Sequence, residues 1–85
     1  VADVEPTAAD IEFYKRVLEN IYKAKKMEER LSKDGEIAAA QYYAGYIQGL
    51  RDAWMDYHSI RGLFFVNWRK YLTEEEREKY AHVRI

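Results

Sequence analysis

Three observations on this 85-residue chain predict an all-α fold, a long antiparallel helical hairpin with one or two short carboxyl-terminal helices. Apolar residues recur at helical spacing over residues 8–32 and again over residues 36–60. The two stretches meet at Ser32-Lys33-Asp34-Gly35, a connection short enough to send the second helix straight back along the first. With one proline and four glycines among 85 residues, little interrupts that pattern.

Residues 1–6 read as a flexible tail, and Pro6-Thr7-Ala8-Ala9-Asp10 as a helix start. Thr7 can cap free backbone amides while Asp10, three residues on, reaches back and suits the positive end of the helix. Phe13, Tyr14, Val17, Leu18, Ile21, Ala24 and Leu31 then fall on one broad face that requires burial. The other side carries Lys15, Arg16, Lys23, Lys26, Arg30 and Lys33. Gly35 ends this helix because glycine tolerates the left-handed backbone. The second helix places Ile37, Ala40, Tyr43, Ile47, Leu50, Trp54 and Tyr57 on its core face. Ala38, Gly45 and Gly49 form a small-residue strip on another side, with Tyr42 beside it. Each glycine costs about 1 kcal/mol relative to alanine inside a helix, so two of them one turn apart suggest a close approach to the backbone.

Gly62 marks a bend. Residues 63–71 follow as the most apolar segment, in which Phe64, Trp68 and Tyr71 repeat at helical spacing while Phe64-Phe65-Val66 would equally suit a strand. A short helix is expected there, because no other segment could pair with a lone strand. Leu72-Thr73-Glu74-Glu75-Glu76 is a second capping signature and predicts a final helix over residues 74–82.

Composition narrows the function classes. A formal net charge of −1 removes the usual attraction to nucleic acid or anionic lipid. Without cysteine there is no disulfide framework, thiolate metal site or cysteine nucleophile. No apolar run is long enough to span a bilayer and no signal pattern opens the chain, so a cytoplasmic protein without a membrane partner is expected.

No constellation carries catalytic, metal or cofactor chemistry. His58 lies near Asp52 and Asp56 in sequence, but at about 100° per residue it projects roughly 160–200° away from them. His82 and Arg84 complement a helix end. The carboxylates of Glu28 and Glu29, or of Glu74 to Glu76, are neighbours in sequence rather than opposed across a cleft. Ser32, Ser59, Thr7 and Thr73 have capping or turn roles. The expectation is therefore a non-enzymatic protein.

What remains is an aromatic load of eight tyrosines, two tryptophans and three phenylalanines, more ring surface than a domain of this size readily encloses. Tyrosine, tryptophan and arginine dominate binding hot spots. Tyr42, Gly45, Tyr46, Gly49, Tyr57, Arg61, Phe65, Trp68 and Arg69 are the expected protein interface. The functional expectation is a small helical interaction module, an adaptor or inhibitor of the type encoded by phages and mobile elements. It would be a homodimer with a four-helix core, binding a further protein target. The alternative is a nucleic-acid-binding accessory protein using Lys15, Arg16, Lys23, Lys26 and Arg30.

Overall fold

The computed structural model describes residues 4–85, so the expected tail lies partly outside the described residues; Pro6 and Thr7 lead directly into the first helix. Helix α1 spans Ala8–Lys33 and α2 spans Ile37–Arg61, antiparallel and in contact along their length. A 3₁₀ turn at Trp68–Tyr71 and a short helix α3, Glu74–Lys79, complete the all-helical architecture. The molecule is a slab of 51 × 27 × 17 Å with a radius of gyration of 14.6 Å. A compact domain of this length would have about 12 Å, so the hairpin is drawn out rather than rounded.

Local signals fix the element ends. The Thr7 hydroxyl accepts from the Asp10 amide at 3.2 Å, and Asp10 Oδ2 accepts from the Thr7 amide at 2.8 Å, closing the expected reciprocal cap. Thr73 and Glu76 repeat that arrangement at the start of α3, at 3.1 and 2.9 Å. Gly35 and Gly62 adopt left-handed φ values of 77° and 68°. At each, the residue beyond the glycine donates back into the last turn, Glu36 to the Leu31 carbonyl at 2.9 Å and Leu63 to that of His58 at 3.0 Å.

That second closure explains why residues 63–71 do not form the expected helix. It turns the chain sharply off the axis of α2, and the segment must then seat both Leu63, fully buried, and Trp68 in the same core. A continuous helix would put those side chains 140° apart around its axis, at about 100° per residue. The chain instead runs irregularly to Asn67 and tightens into the 3₁₀ turn. The last helix is also shorter than expected, ending at Lys79 rather than at residue 82, because Tyr80 and Val83 turn inward. His82 and Arg84 therefore do not sit on a helix end.

The core joins Tyr14, Val17, Leu18, Ile21 and Ala24 of α1 to Ile47 and Trp54 of α2, with Leu63, Trp68, Leu72, Tyr80 and Val83 closing it from the carboxyl-terminal segment. Ile37, expected on the core face, is 56 % exposed because it opens α2 at the hairpin turn, where residues 32–36 are all exposed and offer no apolar surface to cover it. Helix α3 docks on α1 through polar contacts: Lys15 to Glu76 at 3.1 Å, Lys79 to Glu19 at 2.8 Å, and the Tyr80 hydroxyl to Glu19. Burial, reinforced by Glu19, pushes the Tyr80 hydroxyl up to about 12.

Asp10, the one buried acid among the described residues, is 1 % exposed and joins the open end of the hairpin. Beyond capping α1, it accepts from Arg61 at 3.1 Å and 2.9 Å, one bond to each carboxylate oxygen, and from the Tyr57 hydroxyl. The Arg61 guanidinium outweighs the cost of burial and, with Tyr57, holds the carboxyl well below the usual range. Asp10→Ala removes a cap, worth about 1 kcal/mol, and charged hydrogen bonds, worth about 1.5–3 kcal/mol. A loss of about 3 kcal/mol in urea unfolding is expected, against a change within about 0.5 kcal/mol for the exposed control Glu12→Ala.

Candidate functional site

The nine residues expected to form the interface do not occupy one surface. Tyr42, Gly45, Tyr46 and Gly49 share the solvent side of the first half of α2. Phe65 lies beyond the far end of that helix, with about 24 Å of α2 between positions 44 and 60 at 1.5 Å per residue. Tyr57 and Arg61 are committed to Asp10 and hold the fold together. Trp68 lies in the core rather than at the surface, and Arg69 beside it is exposed.

The α2 surface is built by an uncharged run, residues 37–50, in which the core takes Ala40 and Ile47 and leaves Ala38, Gln41, Tyr42, Ala44, Gly45, Tyr46, Gln48 and Gly49 exposed. A solvated helix face ordinarily carries charge. A β-carbon built on Gly45 or Gly49 would meet nothing within 4 Å, so no other element among the described residues approaches these glycines. The Tyr42 and Tyr46 rings, with Tyr43, border a shallow groove of about 350 Å³ that reaches Ala24 and Met27 of α1. Tyr42 and Tyr43 meet edge to face, 5.3 Å apart.

The second surface is the tip of the open end. Phe65 is 100 % exposed and Ile60 85 %, with Phe64 and Val4 also outside. These rings stand on a fixed base, since Leu63 and Trp68 on either side are buried. The tip borders a depression of about 640 Å³ that also includes Pro6, Lys70 and Tyr71. Sequence reasoning named Phe65 and missed Ile60 and Phe64 as surface; the bend at Gly62 is the signal that could have placed all three beyond the core.

His58 has a structural task. Its Nε2 accepts from the Trp68 indole N–H at 2.8 Å, and its ring stacks on Trp54 at 5.1 Å. Accepting that bond requires the neutral imidazole with its proton on Nδ1. Burial pushes the imidazole below its ordinary value. Asp52 is turned to Gln48, 3.1 Å away, and takes no part. Among the described residues, no three His, Cys, Asp or Glu side chains come together as a metal site, and no helix is long and apolar enough to cross a membrane.

The basic side of α1 is largely occupied. Lys15 pairs with Glu76, Arg16 with Glu12 at 2.8 Å, Lys23 approaches Glu19 at 3.8 Å, and Lys26 lies 4.5 Å over the Tyr22 ring. Arg30 has no acidic partner within salt-bridge distance among the described residues. Comparison with protein-family models, curated proteins and solved structures found no match to the chain.

The protonation equilibria fix the expected pH response. The unfolded chain binds a proton at His58 more readily than the native one, so that contribution is complete above about pH 6.5 and declines as pH falls below it. Asp10, Glu19 and Glu76 are held below their ordinary values by Arg61, by Lys79 and by the Thr73 backbone amide respectively. Their contributions are therefore lost on further acidification, below the unfolded values of 3.8 for Asp10 and 4.5 for the two glutamates. Thermal melts between pH 8 and 3 should show both declines. The His58→Gln variant should lose the upper one and keep the lower.

Proposed function

We propose that this chain is a non-enzymatic helical interaction module, an adaptor or inhibitor that self-associates through α2 and holds a protein target at the Phe64-Phe65 tip. The observation that carries the proposal is the uncharged run of residues 37–50 with its outward half exposed. Two copies related by a two-fold axis can lay these faces together without burying an unpaired charge. Gly45 and Gly49 then allow the close backbone crossing for which the subunit itself has no use. Two hairpins joined in this way would make a four-helix core.

The surface area is consistent with a missing partner. The chain exposes 6212 Å², whereas a folded monomer of 10.2 kDa exposes about 5300 Å². The difference is close to the roughly 800 Å² that each partner contributes to a standard interface. At the tip, Phe65 and Phe64 are large rings whose positions are fixed by buried neighbours, so little conformational freedom is lost when they enter a target. Nucleic-acid binding through α1 has less support, because four of the five cations it would use already have acidic or aromatic partners.

Gly45→Glu separates assembly from folding. Open space at this position accepts the side chain, and glutamate favours helix over glycine by roughly 0.5–1 kcal/mol. The variant should therefore be at least as helical as the parent by circular dichroism. Sedimentation should show a dimer for the parent at micromolar concentration and a monomer for the variant; a monomeric parent would remove the dimer from the proposal. For the tip, Phe65→Ser should leave both melting and sedimentation unchanged while weakening target capture at least tenfold.

A further inference from the structure

We propose that the groove between α2 and the carboxyl-terminal segment binds a carboxylate side chain of a protein partner, within a short acidic peptide segment. This deepens the interaction-module reading and rests on it for the nature of the partner. The groove has a volume of about 640 Å³ and is lined by Tyr14, Trp54, His58, Asn67, Arg69 and Arg84 among others, with no aspartate or glutamate in its walls.

Tyr14 supplies the central observation. Its side chain is buried, the residue being 5 % exposed, yet its hydroxyl has no hydrogen-bond partner among the described residues. Among the described residues no sealed polar side-chain atom lacks a partner, so this hydroxyl opens into the groove. Burial pushes its pKa above the ordinary tyrosine value, which keeps the hydroxyl a neutral donor, while the Arg69 charge acts against that rise; both side chains line the groove. Arg69 and Arg84 have no acidic partner within salt-bridge distance among the described residues. Their backbones are nevertheless fixed, since the Arg84 carbonyl accepts from Arg51 Nε at 2.7 Å and the Arg69 carbonyl from Arg77 Nε at 3.0 Å.

Two guanidinium forks and a neutral hydroxyl are suited to a carboxylate, which accepts paired N–H bonds and a third from O–H. Exposed Met55 and partly buried Val66 form apolar lips that favour an aliphatic neighbour in the same segment. Trp54 and Trp68 provide a floor, edge to face at 4.9 Å, and a spectroscopic reporter.

The test is titration of the full chain with the capped tetrapeptide Leu-Glu-Glu-Leu at low salt, following the indole N–H resonance of Trp68. A saturable shift is expected, with affinity at least tenfold lower in the Arg69→Gln, Arg84→Gln double variant and several-fold lower in Tyr14→Phe, all with unchanged melting. No saturable shift, an equal response to capped Leu-Gln-Gln-Leu, or equal affinity for inorganic phosphate would overturn the proposal. Peptide binding by a chain that sediments as a monomer would support this groove while removing the dimer, so the two proposals fail separately.

Discussion

The carboxylate of Asp10 secures the end of the hairpin that the chain leaves unjoined. At the other end α1 and α2 are held together by the short connection at Gly35, but at this end the partners of Asp10 lie 47 and 51 residues away in sequence. A carboxylate out of water is unfavourable unless every lone pair is engaged. Here a backbone amide, a phenol and a guanidinium engage it together, so the start of α1, the end of α2 and the entry to the carboxyl-terminal segment are set by one group.

A two-helix hairpin cannot enclose its own core, and the remainder of the chain is arranged around that deficit. Leu63, Trp68, Leu72, Tyr80 and Val83 descend into the seam between α1 and α2 and cover the half nearest the clamp. They leave the half nearest Gly35 with only Tyr42, Tyr43 and Tyr46 over the groove. The result is a molecule closed at one end and thinly covered at the other. Its exposed rings are accordingly divided between a tip that projects past the covered end and a helix face left open by the described residues.

Much of this architecture was legible in local sequence. The Thr7–Asp10 and Thr73–Glu76 caps, and the turns at Gly35 and Gly62, need only a few consecutive residues to specify them, and the structure contains all four. The irregular course of residues 63–71 was not legible, because helical periodicity in Phe64, Trp68 and Tyr71 competes with the requirement that Leu63 and Trp68 reach the same core. The role of Asp10 was half legible. Its position announced a cap, while its bonds to Tyr57 and Arg61 depend on pairing the start of one helix with the end of the next. Trp68 was misplaced for a similar reason: its partner His58 and neighbour Trp54 lie on another element, and composition alone could not say which rings the interior would take.

Within an otherwise continuous α2, Gly45 and Gly49 sit one turn apart and lack any side chain to shield their peptide groups from water. Glycine also loses the most backbone freedom on becoming helical. The middle of α2 is thus weaker than an alanine-bearing helix interior would be, and in a lone subunit its amide protons exchange with solvent faster than its position, far from either fraying end, would otherwise dictate.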